Sequence, residues 1–158
     1  MKLKPDQQKQ AFEILKGLPL FAGCNPEPLQ AIVERLDARE LAKGKVAMMD
    51  QEIGRTLYIL ATGSAGVWKR VGGEKKLLAT LPAPNFFGER TIFEESPASA
   101  LVKAEENCLV FALDRLMFDQ VAGKYPEITE IIRKNMNLVR EQRMGPVIRP
   151  IESSEDVG

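Results

Sequence analysis

The sequence predicts an α+β fold: an antiparallel β-roll (a double-stranded β-helix, jelly-roll-like) flanked by N-terminal helices and a long C-terminal helix. Three observations lead there. Between Glu40 and Leu113, short segments of strand-like composition are separated by Gly, Pro, Asn and Asp, the mark of many short strands joined by turns. Apolar residues at helical spacing precede and follow that stretch. A length of 158 residues with 44% hydrophobic composition gives one domain a real core and is too short for two of ordinary size. The reading is one domain over residues 1–144, with helices in 7–39, the roll in 40–113, C-terminal helices in 114–144, and a flexible acidic tail over 145–158.

Each element has its own signal. Gln7 to Lys16 carries Ala11, Phe12 and Leu15 at helical spacing, and Gly17 ends the run. Asn25-Pro26 reads as an N-cap followed by proline at the first helical position, and Leu29, Ile32, Val33 and Leu36 then share one face of a second helix. In the roll, Leu57, Ile59 and Ala61 alternate with Tyr58 and Leu60. Leu77, Ala79 and Leu81 repeat that period, as do Cys108, Val110 and Ala112. Gly54, Gly63, Gly66 and Gly72-Gly73 sit where strands must turn. Helical periodicity returns in Arg115 to Ala122 with Leu116, Phe118 and Val121, and Tyr125-Pro126 breaks it. Glu127 to Arg143 then places Ile128, Ile131, Ile132, Met136, Leu138 and Val139 along an apolar face interrupted by one amide, Asn135. Gly145-Pro146 and Pro150 stop regular structure, and Glu152 to Asp156 reads as a solvated stretch.

Charge and composition exclude several functions. The 22 basic and 22 acidic residues cancel, so net charge draws the chain neither to nucleic acid nor to an anionic membrane. No signal-like segment stands at the N-terminus, and the longest apolar run, Leu57 to Ala61, is too short to span a bilayer; a cytoplasmic location is expected. Cys24 and Cys108 lack metal-ligand spacing and read as reduced, small core residues, and no cofactor is implied. The absence of histidine removes the commonest general base and metal ligand, so an enzyme is not expected.

Several short stretches, in order, resemble the cyclic-nucleotide-binding domains. They are Leu18-Pro19-Leu20-Phe21, Lys43-Gly44-Lys45, the run Leu57 to Val67 with its central Gly63, Phe86-Phe87-Gly88-Glu89, and Ser99 to Ala104. Together with the order of helix, roll and long C-terminal helix, the resemblance covers roughly Leu18 to Arg143. The resemblance implies the roll and its helices, and it identifies Phe87-Gly88-Glu89 with Pro97-Ala98-Ser99-Ala100 as a phosphate-binding cassette. Three departures stand out. The glycine of a turn near Gln51-Glu52 is absent, with Gly54 available to take over its backbone demand. The aliphatic residue after the cassette glutamate is Arg90, and the phosphate-binding arginine is replaced by Ala98.

The resemblance implies ligand contacts at Gly88, Glu89, Ser99 and Ala100, and Arg90, at a position where the chain departs from the family, is added to this candidate set as a replacement charge. Gly88 permits close approach, the following helix start offers free N–H groups and its dipole to an anion, Glu89 accepts a ribose hydroxyl, and Ser99 donates to a phosphate oxygen. Without the arginine, affinity falls by roughly ten- to several-thousandfold. Arg90 has two readings: it turns its guanidinium into the pocket, or, more simply, it pairs on the surface with Glu94 at i,i+4 spacing. Phe86 and Phe87 read as core, Trp68 as half-buried packing, and Met48-Met49 as core or strand.

The implied function is a non-enzymatic regulatory or sensor domain that binds cyclic AMP, cyclic GMP or a related anionic ligand, weakly for want of the arginine, and repositions its C-terminal helices. The alternative is a ligand-free copy of the fold used for protein interaction or dimerisation. A homodimer through the apolar face of Glu127 to Arg143 is the partner that alternative implies. Neither DNA nor a membrane is an expected partner, since Gly145 to Gly158 is acidic and proline-broken and offers no recognition helix.

Overall fold

The computed structural model describes residues 1–49, 51–93, 97–98 and 100–152, with side chains described through residue 139. Helix α1 (Pro5–Gly17), a 3₁₀ turn (Pro19–Phe21) and helix α2 (Pro26–Val33) come first. Among the described residues eight strands follow: β1 (Asp37–Leu41), β2 (Val46–Met48), β3 (Thr56–Thr62), β4 (Ser64–Val71), β5 (Glu74–Pro82), β6 (Asn85–Phe87), β7 (Leu101–Ala104) and β8 (Cys108–Asp114). A 3₁₀ turn at Glu89–Ile92 lies between β6 and β7, and helices α3 (Arg115–Lys124) and α4 (Glu127–Glu152) close the chain. No helix among the described residues is long and apolar enough to cross a membrane.

The strands form two four-stranded antiparallel sheets, ordered β1-β8-β3-β6 and β2-β7-β4-β5. The first sheet is covered on both faces. Leu57, Ile59, Phe86, Phe111 and Leu113 pack into the cluster built by the helices, while Leu60, Phe87 and Val110 face the roll interior with Ala65, Leu81 and Val102 of the second sheet. This double burial explains why β3 reads as a nearly unbroken apolar run: both sides of its alternation need apolar residues.

Several expectations are corrected. Residues 37–39 belong to β1 and not to the N-terminal helices, because Asp37 to Leu41 pairs with β8 in register Asp37↔Ala112 to Leu41↔Cys108. Asn25 does stand at the N-cap of α2 with Pro26 after it, but its side chain makes no capping hydrogen bond. Leu77 does not share the inward face of Ala79 and Leu81. A bulge at Val67/Trp68 shifts the pairing from Val67↔Ala79 to Trp68↔Leu77, which turns Leu77 outward and leaves it 47% exposed. Leu116 and Met49 are likewise exposed, whereas Phe118 and Val121 carry the buried face of α3. Trp68 is half-buried, as its composition suggested, with its indole N–H donating to Glu105 Oε2 at 3.1 Å.

Helix α4 also differs from expectation, since its backbone runs through Gly145, Pro146 and Pro150 to Glu152. A proline costs a helix about 3 kcal/mol by removing one hydrogen bond and crowding the preceding turn, and a helix can answer by bending instead of ending. Among the described side chains of α4, Ile128, Ile132, Met136 and Val139 are buried in the helical cluster and Leu138 is exposed. The amide that interrupts this face has a partner. Asn135 Nδ2 donates to the carbonyls of Leu20 at 3.0 Å and Ala22 at 2.8 Å, fastening α4 to the Pro19–Phe21 turn.

Candidate functional site

Strand β6 carries the chain to the site. Phe86 packs toward the helices and Phe87 toward the roll interior, where it stacks on Tyr58 with ring centroids 5.0 Å apart. These two anchors fix where Gly88 falls. Gly88 has φ +79°, and a Cβ there would lie 2.6 Å from the Thr56 carbonyl oxygen, so any side chain would strain the backbone and strike β3. Its need for glycine therefore comes from the chain's own approach to β3. Gly88 is followed by the 3₁₀ turn of Glu89–Ile92, held by the buried Thr91, whose hydroxyl lies 2.7 Å from the Gly88 carbonyl and 3.2 Å from that of Thr56.

The turn near Gln51 is built differently from expectation. Gln51 itself adopts φ +72°, and Gly54 has no left-handed conformation. A Cβ on Gly54 would meet Thr91 Cγ2 at 2.9 Å, so Gly54 serves close packing against the 3₁₀ turn. Backbone bonds from Gln51 N to Ala98 O (2.9 Å) and from Ala98 N to Glu52 O (2.8 Å) tie this turn to the second half of the cassette.

Between the two halves lies a cavity of about 100 Å³ lined by Met48, Gly88, Glu89, Arg90, Thr91, Pro97 and Ala98. Of the residues singled out from sequence, Gly88, Glu89 and Arg90 come together on this wall. Ala100 is buried and does not line it, and Ser99 lies outside the described residues. Glu94, the surface partner considered for Arg90, is outside them too. Among the described residues the Arg90 side chain makes no hydrogen bond or ion pair, while its carbonyl accepts from Phe93 N at 3.2 Å. Pro97 and Ala98 of the cassette's second half line it too; Met48 and Thr91 were missed, Met48 because only the pairing of β2 with β7 brings it to the turn and Thr91 because its burial within the turn was not read from the sequence. The opening 3₁₀ turn has only four residues, so its dipole is slight and a bound anion here depends on a side-chain charge.

The 3₁₀ turn is wired to the C-terminal helices through Phe93, its C-cap residue. The Phe93 ring meets Phe118 of α3 edge-on at 5.6 Å, and the Arg133 guanidinium of α4 lies 4.5 Å from its centroid. Arg115 Nη2 donates to the Phe93 carbonyl at 3.1 Å. Sequence reasoning passed over Phe93, although an aromatic residue directly after the cassette turn is the signal that would have found it.

Burial, with Glu127 nearby, pushes the Cys24 thiol up to about 11, and burial also raises that of Cys108. No group of three or more Cys, Asp or Glu side chains among the described residues is arranged to hold a metal ion.

Residues 38–125 match the family described as the cyclic nucleotide-binding domain. The chain is 30% identical to human cGMP-dependent protein kinase 2 over 87% of its own length and 19% of the kinase. It is 31% identical to the cyclic AMP receptor protein of Thermus thermophilus over 64% of its own length and 47% of that protein. It thus spans about a fifth to about half of these relatives. Its fold matches a crystal structure of a cyclic nucleotide-binding domain from Methylobacillus flagellatus with a TM-score of 0.81 at 16% identity, covering 97% of this chain and 86% of the other. With the turn, the roll and the helices in this order, the chain belongs to the cyclic nucleotide-binding domain family, a family of regulatory domains.

Proposed function

We propose that the domain binds a cyclic nucleotide, cyclic AMP or cyclic GMP, with its phosphate in the cassette cavity and Arg90 supplying the charge that Ala98 cannot. The observation that carries this reading is that Arg90 lines the same cavity wall as Gly88, Glu89 and Ala98 and has no ion-pair partner among the described residues. A buried phosphate without a cation is expensive, and a guanidinium offers charge-assisted donors in a fork that suits phosphate oxygens. Glu89 is the acceptor for a ribose hydroxyl and Ser99 the second phosphate donor in this reading.

Size sets the expected response. A cavity of about 100 Å³ has the volume of roughly three waters, enough for one phosphate group and well below the roughly 300–1,000 Å³ of pockets that enclose whole ligands. Sugar and base must then be admitted by movement of the cavity rim, and the contacts of Phe93 with Phe118, Arg115 and Arg133 carry that movement to α3 and α4. The domain is a sensor in this account, with the C-terminal helices as its output. Calorimetry tests it: saturable heat with at least one of the two nucleotides is expected. No heat with either at millimolar concentration would sink the reading and leave the domain as an interaction module.

A further inference from the structure

One wall of the cassette cavity carries chemistry that phosphate binding does not use. Among the described residues that line it, Met48 alone carries sulfur. Met48 ends β2, and the β2–β7 pairing shifts register between Val46↔Lys103 and Met48↔Val102. A bulge of this kind re-aims the side chains beyond it. Val46 accordingly stays 41% exposed, while Met48 is half-buried and packs against the roll-interior cluster that includes Phe87. Its sulfur comes close to the cassette turn. Met48 Sδ lies 3.6 Å from the position a Cβ would take on Gly88, and Tyr58 Cδ2 closes on the same position at 3.6 Å.

A thioether is oxidised by peroxides to the sulfoxide, and the change is reversible by reductases. The cavity of about 100 Å³ has room for roughly three waters, so hydrogen peroxide fits within it. In the reaction the sulfur lone pair attacks one peroxide oxygen, the O–O bond breaks and an S–O bond forms. The other oxygen takes up the proton released by the first and leaves as water, so sulfur loses two electrons and the peroxide gains them. The product is polar where the thioether was apolar, with the negative end of the S–O dipole on its oxygen. In a cavity sized for one phosphate, that oxygen occupies ligand space and sets an acceptor among the same walls as Arg90, the cation the phosphate needs.

We propose that Met48 is a redox modification site that controls the cassette: a hydroperoxide converts its thioether to the sulfoxide, and the sulfoxide keeps phosphate out of the cavity. The inference rests on the nucleotide reading above and adds a regulator to it. The other described sulfur groups do not share this role. Met1 and Met49 are 82% and 52% exposed, Met117 and Met136 belong to the helical cluster, and none of the four lines the cavity. Burial raises the thiol pKa of both Cys24 and Cys108, which holds them in the slow-reacting protonated form.

The test is calorimetry of the full chain with cyclic AMP and cyclic GMP before and after exposure to hydrogen peroxide, with peptide mass mapping to place each added oxygen. Oxidation of Met48 is expected to weaken binding by about tenfold or more, and methionine sulfoxide reductases of both stereospecificities are expected to restore it. Met48→Leu keeps an apolar side chain of similar volume, and its affinity, whatever its starting value, should be the same before and after peroxide. Met49→Leu removes the exposed neighbouring thioether and should stay as peroxide-sensitive as the parent. In that variant the fraction of competent sites should fall as the fraction of Met48 oxidised rises, so the test stands even if Met48→Leu fails to fold. Binding that survives full oxidation of Met48, a Met48 that stays reduced while Met49 is oxidised, or a Met48→Leu chain that loses affinity as the parent does would each overturn this inference and leave the nucleotide reading standing. No heat from the untreated parent would overturn both.

Discussion

Gly88 shows how much a single position can hold. Its left-handed φ and the 2.6 Å approach a Cβ would make to the Thr56 carbonyl mean that alanine there must both strain its backbone and push β3 away. Gly88→Ala is expected to lose about 2 kcal/mol or more, read as a lower urea midpoint at unchanged slope. Gly17→Ala, at a helix end with nothing within 4 Å of the new Cβ, is the control and should be close to neutral. A Gly88→Ala loss under about 0.5 kcal/mol would show that the turn relaxes without cost. Gly88 was legible in the sequence as part of a motif, but its reason was not. The motif suggested room for a ligand, whereas the backbone shows that β3 already occupies the space. Gln51 is the reverse case: the sequence offered Gly54 for the turn, and the left-handed residue is a glutamine that local propensity would not choose.

Elements were legible where one period held throughout. Strands β3 and β8 and helices α2 and α3 lie close to where their alternation or helical spacing put them, because both neighbours of each residue vote the same way. The misread face of β5 has one cause, the Val67/Trp68 bulge, which inserts a residue and reverses the phase of Leu77. No residue type announces such a bulge. The α4 amide was visible as a break in an apolar face, but its acceptors, the carbonyls of Leu20 and Ala22, are more than a hundred residues away in sequence. Asn135→Ala would leave both carbonyls of this turn without the amide. It is expected to cost about 1–2 kcal/mol in denaturation, discounted for partial exposure, with hydrogen exchange of α4 rising before that of β3 and β8. Uniform loss of protection over the whole domain would contradict a local fastening.

At the scale of the molecule, the fold ties three layers together: helices over one sheet, a roll interior between two sheets, and a second sheet whose β4–β5 hairpin is exposed. The cassette turn is the point where the first two layers meet, since Phe87 and Thr91 root it in the roll, Phe86 packs on the helical side, and Phe93 joins it to α3 and α4. That arrangement makes a charge bound at the turn mechanically relevant to the helices. The order of motifs made this architecture readable from sequence, while the cavity wall, drawn from β2, the turn and the Pro97–Ala98 ribbon, depends on long-range pairing that no local pattern encodes. The central claim is that Arg90 stands in for the missing cassette arginine, and calorimetric comparison of the parent chain with Arg90→Gln, titrated with cyclic AMP and cyclic GMP, tests it most directly. The account predicts saturable binding by the parent and a loss of about tenfold or more in the variant; a variant that binds with the parent's affinity would contradict it.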